Sequence, residues 1–266
     1  MRNNNTTKQA NTGAKRGAGF KGLLLLLFFI FFAAALTSCG NEPNREITLA
    51  VDKSGSTGSD LTSFDSEEDV NRNLEQCFGL ADGKVIYYGC KLHLCAIGTS
   101  VRPRTLTLTL KPVGTPLLYN TQKRTNEIAD FKKQIAAAVK SLMNMKADQQ
   151  HSQIYLSLCS KLTELKNSDF GGVKRLIVLS DGLESNFHHE FINYADDVPG
   201  FRKDFPKIKQ QMAATCNMPD LNGISVTMVN SPQHVLSDLI LACDDFWREV
   251  IHDNGGTFII KPNLNS

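Results

Sequence analysis

The chain has 266 residues, with 29 basic and 27 acidic side chains and a formal net charge of +2 at pH 7. Residues 1–38 hold five of the basic side chains and no acidic one, so the rest of the chain carries a small net negative charge. Such a chain offers no basic tail or patch to a phosphate backbone, which excludes nucleic acid as an expected partner. The length beyond residue 38 fits one large α/β domain or two small ones.

The N-terminal segment predicts a secretory signal peptide. Residues 1–21 carry five basic side chains and no acidic one, as the n-region of a signal peptide does. Residues 22–36 then read GLLLLLFFIFFAAAL, which is typical of the apolar h-region. This apolar run is shorter than the roughly 18 residues that a membrane-spanning helix needs. A permanent transmembrane helix is therefore the weaker interpretation.

A cysteine follows the apolar run after two small polar residues. The stretch LTSCG, which ends at Gly40, resembles the bacterial lipobox, in which the signal is cleaved before a cysteine that then carries lipid chains. An ordinary cleavage site with an accidental cysteine would explain Ser38 but not Leu36 and Cys39 together. We therefore expect a lipoprotein signal peptide at 1–38, lipidation of Cys39, and a spacer at 39–45. The protein would be anchored in the cell envelope, and Gly40 favours the outer membrane because inner-membrane retention is associated with aspartate there.

Short apolar runs bounded by turn residues predict the strands. The run at 104–110 alternates leucine and threonine, which is typical of a half-exposed edge strand. The run at 84–97 contains Gly89, which could break it. The predicted strands are 46–51, 84–97, 104–110, 175–182, 224–230 and 256–262.

Apolar residues that recur at intervals of three and four predict an amphipathic helix over 125–145. Strands that alternate with helices indicate a doubly wound α/β fold, with a mostly parallel sheet, helices on both faces and one antiparallel edge strand. Ligands of such sheets bind at the carboxyl ends of the strands. Further helices are predicted at 67–78, from Ser152 through 165, at 205–213, and at 235–251 with Trp247 in the core.

A long polar segment, 184–222, is predicted to be an insertion near that edge of the sheet. It contains the residues NFHHEF, with His188, His189 and Glu190. A solvated loop is favoured over a partner-contacting loop or a second metal site, because adjacent histidines in a regular element cannot both face one ion.

Six cysteines remain beyond Cys39, and an even number in an exported protein permits disulfides in 15 full pairings. Cys90 and Cys95 should point to opposite faces of a strand, so they are not expected to pair with each other. Small buried thiols that never oxidise are an equally good interpretation. The six are Cys77, Cys90, Cys95, Cys159, Cys216 and Cys243.

Oxygen-bearing side chains follow two of the predicted strands. Asp52 comes after ITLAV, with Ser54 and Ser56 just beyond it, and Asp181 comes after RLIVLS. If the two strands are neighbours, both carboxylates share one edge of the sheet, and a divalent cation would relieve their repulsion. Hydroxyl and carboxylate oxygens suit Mg²⁺, Mn²⁺ or Ca²⁺ and offer no soft ligand for copper or zinc.

The stretch DKSGS at 52–56 matches the Asp-x-Ser-x-Ser motif of the von Willebrand factor A domain. The metal-ion-dependent adhesion site of that family is completed by a threonine on a second loop and an aspartate on a third. Asp181 in IVLSDG matches the third loop, and Ser152 in HSQIYLSLCSKL stands where the family has its threonine. The resemblance extends over 45–262 and implies one such domain at 46–262.

The resemblance implies a binding module rather than an enzyme. Ser54, Ser56 and Ser152 would ligate the cation directly, whereas Asp52 and Asp181 would mostly hold metal-bound water. Mg²⁺ is the expected cation, with Mn²⁺ and Ca²⁺ as alternatives. The open coordination position would accept a carboxylate from a partner protein that the sequence does not identify.

Two other functions remain open. One is a metal-free structural domain of an envelope assembly, in which the serines merely cap a helix. The other is a metal-dependent hydrolase with Ser54 or Asp52 as the nucleophile. The sequence has no G-x-S-x-G, H-E-x-x-H or P-loop motif to support the hydrolase. The metal content of the purified protein and turnover of a generic ester would separate the three functions.

Overall fold

The computed structural model describes residues 42–53, 66–80, 83–98, 105–115, 118–145, 151–186, 188–230 and 237–264. These residues belong to one compact unit, Glu42–Ser266. The predicted signal peptide, the lipidation residue Cys39 and the proposed ligands Ser54 and Ser56 lie outside the described residues. Within the described ranges, no helix is both long and apolar enough to span a bilayer.

The centre of the domain is a six-stranded sheet in the order β3-β2-β1-β4-β5-β6. All neighbouring strands are parallel except β2 and β3, which pair antiparallel, so β3 is the antiparallel edge strand that the alternating leucines and threonines predicted. The strands are β1 Arg45–Asp52, β2 Cys90–Ile97, β3 Thr105–Leu110, β4 Val173–Leu179, β5 Ile224–Val229 and β6 Thr257–Lys261.

Helices cover both faces of this sheet. The helices are α1 Glu67–Phe78, α2 Thr121–Met143, α3 Ile154–Asn167, α4 Val198–Thr215 and α5 Ser237–Asp253, with a short 3-10 helix at Phe191–Tyr194. Helices α1 and α2 contribute to one buried apolar cluster, and α3, α4 and α5 contribute to the other. Leu49 and Val51 of β1 belong to the first cluster and Ala50 to the second, because successive side chains of a strand point to opposite faces. The predicted doubly wound α/β fold is confirmed.

Two predicted elements differ most from the observed ones. Residues 84–89 are not part of β2, because backbone groups there bond elsewhere: the Gly89 N–H donates to Asn44 Oδ1 at 2.7 Å, and the Val113 N–H donates to the Tyr87 carbonyl at 2.8 Å. Helix α4 is much longer than the predicted 205–213. It begins where the Asp197 side chain accepts from the Gly200 N–H, seven residues before the predicted start, and it continues through Pro206.

The segment 184–222, predicted as an insertion, supplies the crossover between β4 and β5. Its helix α4 buries Phe201 and Phe205 in the same cluster as Phe191 and Phe246, with ring centroids 4.7 to 6.2 Å apart. This part of the segment therefore covers the sheet, and its status as an insertion stays a prediction. Trp247 on α5 is fully buried in that cluster, as expected.

One disulfide settles part of the cysteine pattern. Cys159 on α3 is bonded to Cys216, the residue that follows α4, and the other four described cysteines are free thiols. Cys90 and Cys95 belong to opposite apolar clusters, which confirms that they do not pair with each other. Burial raises the pKa of each of these two thiols to about 12, so they are unreactive core residues.

Candidate metal centre

Two carboxylates reach the same edge of the sheet from neighbouring strands. Asp52 is the last residue of β1, and Asp181 lies two residues beyond β4. Strands β1 and β4 are parallel and in register up to Val51 opposite Leu179, so both acids leave the sheet at its carboxyl edge, as predicted. Asp52 is fully buried and Asp181 is 6% exposed.

The Asp52 carboxylate receives hydrogen bonds from two later segments of the chain. Ser152 Oγ and Ser180 Oγ both donate to Asp52 Oδ2 at 2.8 Å, and all three residues are buried. The structure therefore places Ser152 in direct contact with Asp52. Ser180, which precedes Asp181 in the chain, makes the other bond to Asp52 and so keeps the third loop next to that carboxylate.

Hydrogen bonds join the second loop, 151–153, to the third loop, 180–186. The Ser185 N–H donates to the Ser152 carbonyl at 2.9 Å, and His151 Nδ1 lies 3.0 Å from Ser185 Oγ. The Gln153 N–H donates to the Gly98 carbonyl beyond β2 at 3.2 Å. These bonds fix the position of the Ser152 hydroxyl relative to both neighbouring strands.

Lys53, the residue after β1, is bonded to a helix on the face of the sheet that α3 does not cover. Lys53, which is 5% exposed, donates from Nζ to the Met143 carbonyl at the end of α2 at 2.7 Å. A positive charge is favourable at the carboxyl end of a helix. Burial nevertheless lowers the pKa of this lysine. The residue that follows Asp52 is thus tied to α2.

Glu184 supplies the missing cap of α3. Gln153, the residue before that helix, makes no capping bond with its side chain, whereas Glu184 Oε2 accepts from the Tyr155 N–H at 2.8 Å. Glu184 is 1% exposed, and burial raises the pKa of its carboxyl group to about 8. The negative charge of Asp52 acts in the same direction, whereas the hydrogen bonds from Tyr155, Asn186 and Ile154 oppose it. Burial therefore disfavours the charged form of Glu184.

We expect Glu184→Gln to change how stability depends on pH. Folding raises the pKa of the Glu184 carboxyl group from 4.5 to about 8. The protonated carboxyl group therefore stabilises the fold fully below pH 4.5, and this stabilisation is lost as the pH rises through 8. Between those values the wild type should lose up to about 1.4 kcal/mol per pH unit relative to the variant. Urea unfolding of both proteins in chelator at pH 5, 6, 7 and 8 measures this difference. Parallel curves would contradict it.

The residues at this edge fit a hard divalent cation. Asp52 and Asp181 would supply carboxylates, and Asp181 Oδ1 accepts from the Leu183 N–H at 2.9 Å. Ser152 gives its hydroxyl hydrogen to Asp52, which leaves the oxygen lone pairs for a cation. Within the described part of the chain, no group of three or more His, Cys, Asp or Glu side chains could hold a metal ion. Ser54 and Ser56, the other predicted ligands, lie outside the described residues.

Sequence reasoning missed two residues of this centre. Ser180 stands beside Asp181 in VLSDG, so its hydroxyl was visible, but the motif of the family does not include it. Glu184 was assigned to the start of a polar insertion, because the pattern does not show that its side chain turns inward. Of the predicted histidine pair, His188 is exposed as expected, whereas His189 is half-buried. The backbone N–H groups of both residues donate to Asn186 Oδ1 at 2.8 Å.

A mostly parallel sheet with one antiparallel edge strand, and with Asp52, Ser152 and Asp181 at its carboxyl edge, agrees with the predicted fold and with the motif resemblance. The domain has a von Willebrand factor A fold.

No protein-family model and no curated protein matches the chain. Several solved structures are similar to it. An aerotolerance-related membrane protein from Bacteroides fragilis is 14% identical, with a TM-score of 0.38, over 83% of this chain and 92% of that one. The pilus adhesin SpaC of Lactobacillus rhamnosus GG is 14% identical, with a TM-score of 0.42, over 84% of this chain and 28% of that one.

Proximal thread matrix protein 1 of the mussel byssus, described with a zinc-occupied metal-ion-dependent adhesion site, is 13% identical with a TM-score of 0.37. The match covers 93% of this chain and 49% of that one, so the chain spans about half of the mussel protein and less than a third of the adhesin. At these identities nothing about ligands or partners transfers to this chain.

Proposed function

We propose that the protein is a lipid-anchored binding module of the cell envelope that uses a divalent cation, with Mg²⁺ expected before Mn²⁺ or Ca²⁺, to bind an acidic group on a partner protein. The observation that carries this proposal is the contact of Ser152 Oγ with the buried carboxylate of Asp52, 100 residues earlier in the chain, at the edge where Asp181 also emerges. Buried carboxylates and hydroxyls gathered from three loops are the ligands that such a cation needs.

The five predicted ligands would coordinate the cation in two ways. Ser54, Ser56 and Ser152 would hold the cation directly, and Asp52 and Asp181 would hold it through water. When bound, the cation supplies positive charge that a carboxylate of the partner can contact. Asp52 orients the Ser152 hydroxyl by accepting its hydrogen, and Ser180 fixes Asp52 by a second bond of 2.8 Å. The surrounding loops would provide specificity.

The disulfide supports an exported protein. Disulfides persist in oxidising compartments outside the cytoplasm, and the Cys159–Cys216 bond lies in the domain that follows the predicted signal peptide. Together with the lipobox around Cys39, it favours the cell envelope, with the outer membrane preferred.

Capture of a partner from detergent-solubilised envelope tests the function. We expect the wild type to retain a specific protein in Mg²⁺, to release it in chelator, and to lose it in Asp181→Asn. Capture that persists in chelator and in the variant would favour the metal-free structural domain. Turnover of a phosphate or acyl ester that Ser54→Ala abolishes would favour the hydrolase.

Cys39→Ser should release the protein from the membrane fraction. A lipid attached to the cysteine sulfur cannot form on serine, and the uncleaved segment 22–36 is short for a stable span. Fractionation of cells followed by detection of the protein measures the change. Cys77→Ser, which removes a half-buried free thiol, is the control and should stay in the membrane fraction. Continued anchoring of Cys39→Ser would contradict the lipobox.

A further inference from the structure

Helix α5 and the end of β5 hold the third loop, 180–186, by two side-chain hydrogen bonds. Trp247 Nε1 on α5 donates to the Gly182 carbonyl at 2.8 Å. Asn230 Nδ2, just after β5, donates to the Asp181 carbonyl at 3.3 Å. Two successive peptide groups beside the predicted metal ligand Asp181 are therefore held by side chains outside the five predicted ligands.

One peptide group links the indole of Trp247 to the carboxylate of Asp181. This group lies between Gly182 and Leu183. Its carbonyl accepts from Trp247 Nε1 at 2.8 Å, and its N–H donates to Asp181 Oδ1 at 2.9 Å. A peptide group is planar, with its carbonyl and its N–H pointing in opposite directions. The bond to Trp247 thus sets the direction in which that N–H meets the carboxylate.

The indole itself is fixed in the core. Trp247 is fully buried, and its ring packs against the rings of Phe191 and Phe246, with centroids 6.4 and 5.3 Å away. A close-packed core keeps such side chains in rotamer minima. The φ of Gly182 is +76°, and a Cβ there would lie 3.3 Å from Trp247 Nε1. Glycine therefore allows the loop to approach the indole closely.

Asn230 gives the third loop a second attachment to α5. Its Nδ2 also donates to Asp244 Oδ1 on that helix at 3.2 Å, so the two hydrogens of its amide serve the helix and the Asp181 carbonyl. Asn230 is 3% exposed and Asp244 is 8% exposed, so little water competes for these bonds. The loop is bonded to α5 directly through Trp247 and indirectly through Asn230.

We propose that Trp247 and Asn230 are positioning residues of the candidate metal centre, which set the orientation of the Asp181 carboxylate and thereby the affinity for the cation. The inference rests on the proposed function for the cation itself. Trp247 acts through the peptide group between residues 182 and 183, and Asn230 acts through the preceding one. The ring of Trp247 belongs to the core, as the sequence predicted, while its N–H acts on the site.

Trp247→Phe tests the inference, because it keeps an aromatic ring in the core and removes the donor to the Gly182 carbonyl. Groups that orient metal ligands by hydrogen bonds typically contribute about 10- to 100-fold to metal affinity. We expect the variant to bind Mg²⁺ about tenfold more weakly than the wild type. Asn230→Ser, which removes the amide, should also weaken binding. Calorimetric titration of the detergent-solubilised full chains with Mg²⁺ measures the dissociation constants.

Phe246→Leu is the matched control. Phe246 precedes Trp247 on α5, is equally buried and packs against the same ring of Phe191, but its side chain makes no hydrogen bond. Its variant should lose stability in chelator, as Trp247→Phe should, and should keep the affinity of the wild type for Mg²⁺.

A second measurement needs no cation. In chelator, the backbone N–H groups of 180–186 should exchange with solvent faster in Trp247→Phe than in the wild type or Phe246→Leu, because the peptide group that Trp247 holds is released. Hydrogen exchange followed by mass spectrometry measures these rates.

The outcomes separate this inference from the proposed function. If Trp247→Phe and Asn230→Ser bind Mg²⁺ as tightly as the wild type, the inference is wrong and the proposed function stands. If Phe246→Leu weakens binding as much as Trp247→Phe, the effect is a general loss of packing, and the inference is likewise overturned. A wild type that binds no Mg²⁺ would contradict the proposed function and overturn the inference with it. If Trp247→Phe does not fold, Asn230→Ser decides, and unchanged binding by that variant would overturn the inference.

Discussion

Replacing Cys159 and Cys216 together by alanine should lower the free energy of unfolding by about 4 kcal/mol. The bond joins residues 57 apart in sequence, and its loss frees a loop of that length in the unfolded chain. The long loop makes the entropic contribution large. Urea unfolding of the wild type and the variant without reductant measures the difference.

Cys243→Ala is the control for this prediction. Cys243 is as deeply buried as Cys159 but is a free thiol, so its replacement removes one small core group, at a cost of about 1 kcal/mol. Reductant should destabilise the wild type towards the double variant and leave that variant unchanged. A double variant no less stable than Cys243→Ala would show that the bond does not constrain the chain.

Asp52→Asn should abolish stabilisation of the protein by Mg²⁺. A ligand present at one hundred times its dissociation constant stabilises the folded state by about 2.7 kcal/mol, and we expect a shift of that order for the wild type. Asparagine keeps the shape of the side chain and an oxygen for Ser152 and Ser180, but it removes the charge that holds the cation. Thermal unfolding in chelator and in increasing Mg²⁺ measures the effect.

Glu46→Gln is the matched control, because it neutralises another fully buried carboxylate on β1. Glu46 lies at the opposite end of that strand, where Lys91 and His93 approach it to 3.1 and 3.0 Å. Its variant should be less stable but should keep the full response to Mg²⁺. A wild type that does not respond to Mg²⁺, or an Asp52→Asn variant that still does, would refute the metal centre.

The fold was predictable wherever one local pattern determines one element. The alternating leucines and threonines of 105–110 identified an edge strand, and the apolar runs before Asp52 and Asp181 identified two buried strands. The pattern was insufficient at 84–89, where tertiary bonds to Asn44 and Val113 replace the ladder. Local composition also hid the first two turns of α4, which bury Phe201 against the apolar cluster.

The part of the candidate site that lies at strand ends was predictable, because the end of a strand determines where the next side chain lies. Asp52 and Asp181 follow apolar strands, and neighbouring parallel strands end at one edge. The inward turn of Glu184 and its contact with α3 arise from packing between loops that are distant in sequence.

The bond between Cys159 and Cys216 also bears on motion. Because one covalent link and the Tyr155 hydroxyl both hold the end of α4, α3 and α4 behave there as a single rigid body. A preorganised surface of this kind loses little conformational entropy on association. If the protein binds a partner as proposed, any rearrangement would then be expected in the segments around this body.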